Sequence, residues 1–265
     1  MALSMPFDFT GKVCVITGAG RGIGRTLCRD FAAEGGLVVG ASRTPDPLNE
    51  LAREITAAGG RFLPVSTDLS VVDECERLIG ETAKRFGPVD VLVNNLGTTG
   101  AHKPIRDLQP AEWFEALNTN LTSVYACVHF AVGAMMERRS GAIINVSSIG
   151  PKIHSPFRVP YAATKMGMVG ITRVLSQELG PYNIRVNTVS PGAVEGERSV
   201  EVWHHMSRTL GITVDEARER ILAQSALRRT LPPEDISATV RFLCSDLGRS
   251  ITGQDINVDC GVVFG

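Results

Sequence analysis

The stretch of sequence that decides the fold is VCVITGAGRGIG, residues Val13–Gly24. Its first part, Val13–Ile16, is apolar on consecutive positions, as in a strand that is covered on both faces of a sheet. Glycines follow at Gly18, Gly22 and Gly24, and a helical pattern begins directly after them. Glycine permits a tight turn in which backbone N–H groups can approach a pyrophosphate, and the N-terminus of the next helix adds a positive end. The stretch therefore predicts a strand, a phosphate-binding loop and a helix.

The rest of the chain repeats this alternation of short apolar runs and longer amphipathic stretches. The runs predict strands at Val13–Thr17, Leu37–Ala41, Phe62–Ser66, Val89–Asn94, Ala142–Ser147, Arg185–Val189 and Asp255–Val258. The stretches between them predict helices near residues 22–34, 47–58, 70–86, 111–137, 160–179 and 234–245. Such alternation is typical of an α/β protein whose parallel sheet is built through right-handed crossovers. Because no internal repeat or linker is present, we expect residues 1–265 to form a single domain.

One segment, residues 195–230, interrupts the alternation. It is polar, helical in pattern, and carries Trp203, His204, His205 and Met206. Since it follows the sixth predicted strand, it should lie at the carboxyl end of the sheet, where open α/β folds bind their ligands. We interpret it as a small helical lid over a substrate, with a helical hairpin that only packs as the alternative. Adjacent side chains point apart on a helix and no third ligand stands beside the two histidines, so no metal site is predicted.

Charge and composition exclude several classes of function. The chain has 27 Lys and Arg against 28 Asp and Glu, which leaves no basic surface typical of proteins that bind nucleic acid or anionic membranes. No run approaches the roughly 18 consecutive apolar residues of a membrane span, and Met1–Thr10 lacks the pattern of a secretory signal. The six cysteines are scattered, with no spacing suited to zinc. We therefore expect a cytoplasmic protein with reduced cysteines and a small-molecule partner.

The end of the second predicted strand bears on the choice of cofactor. A protein that prefers NAD(H) typically places an acidic residue there to hold the ribose hydroxyls. Here Ser42 and Arg43 occupy the position, and Arg21 can point at it from the glycine loop. Guanidinium groups suit a 2′-phosphate, which a carboxylate would repel. These residues predict NADP(H) rather than NAD(H).

A tyrosine and a lysine four positions apart, Tyr161 and Lys165, stand at the start of a predicted helix and should share one face of it. A carbonyl that receives a hydride also needs a proton. A phenol is a sluggish proton donor at neutral pH unless a nearby ammonium stabilises its phenolate. At about 4 Å and an effective dielectric constant of about 20, that attraction is roughly 4 kcal/mol. The pair therefore predicts an oxidoreductase in which Tyr161 is the general acid and base.

These motifs resemble those of the short-chain dehydrogenase/reductase family, and the match covers nearly the whole chain. The family's glycine, Asp-Leu, Asn-Asn-Ala-Gly and Pro-Gly motifs correspond to Thr17–Gly24, Asp68-Leu69, Asn94-Asn95-Leu96-Gly97 and Pro191-Gly192. The resemblance implies a Rossmann-like, doubly wound parallel sheet of about seven strands flanked by helices. It also implies a homotetramer assembled through the helices at 111–137 and 160–179, with a contribution from the region of the C-terminal strand.

The resemblance also assigns site residues. Asn120 would hold a proton-relay water, Ser148 would hydrogen-bond the substrate oxygen, and Lys165 would hold the nicotinamide ribose beside its role toward Tyr161. Ser148 is chosen over Ser147 because it stands at the family's usual distance before Tyr161. The residues expected to contact the cofactor are Gly18, Arg21, Gly22, Ile23, Gly24, Ser42, Arg43, Asp68, Leu69, Asn95, Gly97, Tyr161, Lys165, Pro191, Gly192 and Val194.

Three positions depart from the family pattern. Leu96 replaces a small alanine, Gly196 stands where a cofactor-contacting threonine is common, and Cys260 fills a position usually held by glycine. None of these changes removes a catalytic group. In addition, His154 lies in a loop that borders the substrate in this family and could either touch substrate or face water.

The function implied by the resemblance is a reversible, NADPH-dependent ketone or aldehyde reductase, equally described as a secondary alcohol dehydrogenase. The alternatives are a 3-oxoacyl-thioester reductase acting on an acyl carrier protein, a sugar or polyol dehydrogenase, and a non-catalytic NADP-binding sensor. A carrier-protein substrate would favour a basic docking surface, for which the nearby candidates are Arg106, Lys152 and Arg158.

Overall fold

The computed structural model describes residues 7–153 and 156–264, and these ranges form one parallel sheet with helices on both faces. The strands are β1 (Val13–Thr17), β2 (Leu37–Ser42), β3 (Arg61–Ser66), β4 (Val91–Asn94), β5 (Gly141–Val146), β6 (Ile184–Pro191) and β7 (Asp255–Val258). The α-helices are α1 (Gly22–Ala33), α2 (Pro45–Ala57), α3 (Val72–Phe86), α4 (Pro110–Leu117), α5 (Ser123–Arg138), α6 (Val159–Leu179), α7 (Glu197–Leu210), α8 (Val214–Leu222) and α9 (Pro233–Cys244). The strand order β3-β2-β1-β4-β5-β6-β7 confirms the predicted fold class. His154 lies outside the described residues.

The central strand β1 shows why the opening stretch decides the fold. All five of its residues are buried, and it pairs in parallel with β2 on one side and β4 on the other. Cys14 and Ile16 belong to the apolar cluster on one face of the sheet, and Val15 belongs to the cluster on the other face. Consecutive apolar residues are therefore needed because successive side chains of a strand enter opposite layers.

The strand order reverses direction between β1 and β4, which creates a crevice outside their carboxyl ends. Thr17, the last residue of β1, holds the two strand ends together. Its hydroxyl oxygen accepts hydrogen bonds from the backbone N–H groups of Asn95 and Leu96, at 3.0 and 2.9 Å. Residues placed after these strands consequently face one crevice.

The helix predicted at residues 111–137 is wrong as a single element. It is divided into α4 and α5 by a π-helical turn, Asn118–Thr122, in which the Ser123 N–H donates to the Asn118 carbonyl. Turns of this kind often accompany functional sites. Here the wider turn carries Asn120, whose side chain is fully buried.

Residues 195–230 are largely helical, as predicted, and contain the pair α7 and α8. Thr213 caps α8, since its hydroxyl accepts the Glu216 N–H and the Glu216 carboxylate accepts the Thr213 N–H. Outside the pair, Val194 and Leu231 form a parallel bridge that joins the start and the end of the segment. The segment is thus anchored beside the carboxyl end of β6.

A buried ion cluster joins α9 to α1. The Arg241 guanidinium contacts the Glu34 carboxylate, which is fully buried, and lies 3.3 Å from Asp30 Oδ2. Ser237 donates to the same Asp30 oxygen at 2.6 Å. Burial raises the pKa of Glu34, and the nearby Arg241 cation opposes that rise. The cluster ties α9 to the C-terminal end of α1.

Within the described ranges, no helix combines the length and the apolar character that crossing a membrane requires.

Candidate active site

The glycine loop is packed too tightly for larger residues. Gly18 has a φ of +69°, and a Cβ on Gly24 would overlap the Gly18 carbonyl oxygen and lie 2.7 Å from Asn95 Nδ2. That Nδ2 group donates to the carbonyls of Thr17 and Gly18, at 2.9 and 3.2 Å. The loop is therefore held in place by the residue that follows β4, with α1 beginning at Gly22. Such a loop ahead of a helix N-terminus suits a pyrophosphate.

The end of β2 adjoins this loop. A Cβ on Gly20 would lie 3.2 Å from Ser42 Oγ, so only a small residue fits between the two. The Ser42 hydroxyl donates to the Thr44 carbonyl at 3.1 Å, and Arg43 is exposed beside it. The predicted juxtaposition of the glycine loop with Ser42 and Arg43 is present.

Arg21 has a partner that the sequence does not suggest. Its guanidinium forms a 2.7 Å ion pair with Glu197, the first residue of α7, and both side chains are 76% exposed. Exposed pairs of this type are worth at most about 1 kcal/mol. The pair links the glycine loop to the helical segment, and an anion at the loop could compete for Arg21.

The remaining residues expected at the cofactor lie along the same edge of the sheet. Asp68 is exposed and accepts hydrogen bonds from the Ser70 N–H and hydroxyl, whereas Leu69 is buried. Pro191 ends β6, and a Cβ on Gly192 would lie only 2.8 Å from the Asp259 backbone. Ile23 and Val194 are half-buried. These positions follow the carboxyl ends of β1, β3 and β6.

The two serines after β5 have different environments. Ser147 is buried and donates to the Lys165 carbonyl at 2.8 Å, which gives it a structural role. Ser148 is half-buried, and its hydroxyl oxygen accepts the Gly150 N–H at 3.0 Å. Ser148 is thus the serine that retains a donor proton for another group.

Tyr161 and Lys165 lie on the same face of α6, as their spacing predicts. The Lys165 side chain is buried, and its Nζ donates to the Val146 carbonyl at 2.8 Å. The distance from this Nζ to the centroid of the Tyr161 ring is 5.9 Å. The backbone of β5 therefore fixes the ammonium close to the phenol.

Asn120 approaches the same point from the π-helical turn. A Cβ on Gly97 would lie 3.2 Å from Lys165 Nζ and 3.4 Å from Asn120 Oδ1, so both side chains face this glycine. The Asn120 amide accepts the Thr98 N–H at 2.7 Å and donates to the Thr98 carbonyl and to Thr164 Oγ1. Asn120 thereby orders the loop after β4.

Sequence reasoning offered Arg158 only as a basic docking residue and missed its contact with Tyr161. Its guanidinium carbon lies 4.7 Å from the centroid of the Tyr161 ring, in a cation–π contact. The only signal in the sequence is its position three residues before Tyr161, one helical turn away. A second unforeseen contact joins His205 of α7 to His102 in the loop after β4, with ring centroids 4.0 Å apart.

The candidate basic docking residues are mostly neutralised. Lys152 Nζ lies 2.8 Å from Asp255 Oδ2 and 2.5 Å from Asn257 Oδ1, and it is largely buried. Arg106 is exposed and lies 3.5 Å from Asp107 Oδ1. They do not form a continuous basic surface.

The backbone conformation bears on two of the three departures from the family pattern. Gly196 has a φ of +132° at the start of α7, a conformation that a threonine adopts only with strain. Cys260 has a φ of +59°, so a side chain here occupies a left-handed conformation that normally favours glycine. Leu96 is half-buried and packs against the apolar cluster beneath β4.

These groups allow one kind of chemistry. A phenol, a buried ammonium and a serine hydroxyl lie beside a phosphate-type loop, and no group of three or more potential metal ligands occurs in the part of the chain that the structure describes. Two proton donors next to a stabilising cation suit a carbonyl oxygen that gains negative charge.

Comparison with known proteins agrees with this arrangement. A family model described as enoyl-(acyl carrier protein) reductase matches residues 18–263. The chain is 35% identical over 252 residues to the 3-oxoacyl-[acyl-carrier-protein] reductase FabG of Staphylococcus epidermidis, which covers 95% of this chain and 98% of that protein. It is 33% identical over 254 residues to FabG of Thermotoga maritima, covering 96% and 98%.

A solved structure with the same fold is a variant of actinorhodin polyketide ketoreductase with NADPH. The two structures superpose with a TM-score of 0.90 at 34% identity, covering 95% of this chain and 97% of the other. The extent of these matches shows that the chain belongs to the short-chain dehydrogenase/reductase family of oxidoreductases, whose members act on hydroxyl and keto groups.

Proposed function

We propose that the protein is an NADP(H)-dependent reductase of ketones or aldehydes, which equally oxidises the corresponding secondary alcohols. The observation that carries the proposal is the fixed ammonium of Lys165, held by the Val146 carbonyl and close to the Tyr161 ring. In the low dielectric of a buried site, this cation favours the phenolate that remains after Tyr161 gives up its proton.

The residues present fit a dinucleotide. The cradle formed by Gly18 and Gly24 leaves room for a pyrophosphate, and Arg43 beside Ser42 provides charge for a 2′-phosphate. NADPH is bound by the actinorhodin ketoreductase, which supports the same choice here. Lys165 would hold the nicotinamide ribose, and Pro191 with Gly192 would line the nicotinamide. The chemistry expected of the bound cofactor is supply of a hydride in reduction and its acceptance in oxidation.

The chain's own residues would manage the proton. Ser148 donates a hydrogen bond to the substrate oxygen, and Tyr161 transfers its proton to that oxygen as the carbon is reduced. Lys165 stabilises the resulting phenolate, and Asn120 is proposed to hold the relay water through which Tyr161 is reprotonated. In alcohol oxidation the same groups act in reverse.

If Arg43 contacts the 2′-phosphate of NADPH, reversing its charge should weaken the use of NADPH. In an assay of NADPH oxidation over ketones, diketones, oxoesters and acyl thioesters, the best substrate defines the reference activity. Replacing Arg43 with aspartate should then lower kcat/KM for NADPH at least about tenfold, because a charged contact to the 2′-phosphate becomes repulsive. The value for NADH should stay level or rise.

Arg53→Asp is the matched control, since Arg53 is an exposed arginine on α2 and undergoes the same change of charge. It should alter neither value appreciably. A wild-type enzyme that clearly prefers NADH would refute the assignment.

Reduction of a 3-oxoacyl thioester is the second candidate function. It is favoured by the names of the Staphylococcus and Thermotoga relatives, both 3-oxoacyl-[acyl-carrier-protein] reductases. The chemistry at Tyr161 would be unchanged. The neutralised state of Lys152 offers little to an acidic carrier protein, so we rank this function second.

We also retain two proposals about the protein's surroundings. A homotetramer is supported by apolar side chains exposed on α5 and α6, namely Tyr125, Met166 and Val174. A cytoplasmic location is supported by the protein's six free cysteines, because cysteines stay reduced in the cytosol.

A further inference from the structure

The mouth of the proposed active site contains a cation that the proton chemistry does not use. Arg158 immediately precedes α6, is half-buried, and stacks on the ring of Tyr161 at 4.7 Å. Tyr161 itself is only 7% exposed. The guanidinium is therefore placed beside the group that is proposed to protonate the substrate.

Arg158 lacks the carboxylate partner that its neighbours have. Lys103 pairs with Glu112 at 2.5 Å and Lys152 pairs with Asp255 at 2.8 Å. By contrast, among the described residues, which include every aspartate and glutamate of the chain, no carboxylate lies within ion-pair distance of Arg158. A half-buried guanidinium without a counter-ion carries an unmet preference for an anion.

The surrounding side chains add nitrogen donors and no acid. His102 stacks on His205 of the helical segment, and one of its ring nitrogens lies 3.2 Å from the Pro156 carbonyl. Burial lowers the pKa of His102, and the positive charges of His205 and Arg158 lower it further. Arg158 is therefore the permanent cation beside these two rings.

We propose that the substrate carries a carboxylate, bound by Arg158, and is a short oxo acid or the corresponding hydroxy acid. The planar guanidinium can receive a carboxylate through two parallel hydrogen bonds. Because the guanidinium stacks directly on the Tyr161 ring, the anionic group must lie only a few bonds from the reacting carbon. This geometry favours a free 2-oxo or 3-oxo acid over a 3-oxoacyl thioester attached to an acyl carrier protein. The inference rests on the proposed function, since it concerns the substrate of the same site.

A different role for Arg158 would give a different result. If its charge acted only through Tyr161, its removal would slow charged and neutral substrates alike. If it binds the substrate's carboxylate, its removal must affect the charged member of a matched pair selectively.

The test compares oxo acids with their methyl esters, for example 3-oxobutanoate with methyl 3-oxobutanoate and 2-oxobutanoate with its methyl ester. For the wild-type enzyme we expect kcat/KM to favour the acid of at least one pair. In Arg158→Gln that acid-to-ester ratio should fall at least about tenfold, mainly through the KM of the acid. Activity on the ester should change less than about threefold, and Arg158→Lys should recover part of the ratio. Arg106→Gln is the matched control because Arg106 is exposed and already faces Asp107.

A wild-type preference for every ester, or an acid-to-ester ratio that Arg158→Gln leaves unchanged, would overturn the inference. Each pair is also measured with Tyr161→Phe. Ester reduction that depends on Tyr161 but shows no preference for the acid would disprove only the carboxylate site. Reduction of all substrates without dependence on Tyr161 would instead disprove the proposed function.

Discussion

Replacing Tyr161 with phenylalanine is expected to lower kcat for carbonyl reduction by about 10²- to 10⁴-fold, the usual contribution of a positioned general acid. Phenylalanine keeps the ring that packs under Arg158 and removes only the hydroxyl. The Lys165 ammonium remains bound to the Val146 carbonyl, so the proposed cofactor site is preserved. The defect should therefore appear in kcat, with little change in the affinity for NADPH.

The measurement is steady-state NADPH oxidation with the best ketone, together with NADPH binding followed by fluorescence. Tyr182→Phe provides a matched control, because Tyr182 is half-buried in the turn after α6 and distant from the crevice. That variant should keep wild-type activity. Comparable rates in Tyr161→Phe and wild type would show that the proton comes from another group.

Replacing Arg241 with methionine should cost about 3–5 kcal/mol in the free energy of unfolding, since it removes the cation from a buried pair and leaves its partner charge uncompensated. The Glu34 carboxylate that remains is fully buried, and one of its oxygens has no hydrogen-bond partner among the described residues even with Arg241 present. The loss is read from urea unfolding midpoints at equal protein concentration. Arg249→Met, at an exposed arginine, should change stability by no more than about 0.5 kcal/mol.

The free energy of unfolding of Arg241→Met should fall as the pH rises. Burial raises the pKa of Glu34, and the opposition from Arg241 disappears in the variant, so the folded protein holds a proton at pH values where the unfolded chain has lost it. Over that range the free energy of unfolding falls as the pH rises. The deficit of Arg241→Met relative to wild type should therefore be smaller near about pH 5 than near about pH 8. A deficit that grows on acidification would contradict this account of the cluster.

The parts of the fold that depend on local pattern were predictable from the sequence. Consecutive apolar residues predict β1 correctly because the strand is covered by apolar layers on both faces. Most predicted strand ends agree with the structure within two residues. The spacing of Tyr161 and Lys165 fixed their common face because four residues make one helical turn. β4 begins at Val91 rather than Val89. The Asp90 backbone N–H still donates to the Val13 carbonyl, and the Asp90 carboxylate accepts the Val13 N–H.

Features that depend on distant residues were not predictable. The Arg21–Glu197 pair joins positions 176 residues apart, and the neutralisation of Lys152 requires residues from β7. The π-helical turn at Asn118–Thr122 adds one residue to a helical turn, inside a stretch whose sequence predicts a single helix. The sequence offers Arg158 as a basic residue near the site, but its contact with Tyr161 and the absence of a carboxylate beside it among the described residues required the structure.

The central claim is that Lys165 acts through Tyr161, and a double-mutant cycle tests it most directly. Single-turnover rates of NADPH oxidation are measured at saturating NADPH and ketone for wild type, Tyr161→Phe, Lys165→Met and the double variant. We expect Lys165→Met to slow the wild-type enzyme strongly but the Tyr161→Phe enzyme little, because the effects of residues that act as a unit are not additive. Lys165→Met slowing both enzymes by the same factor would contradict it.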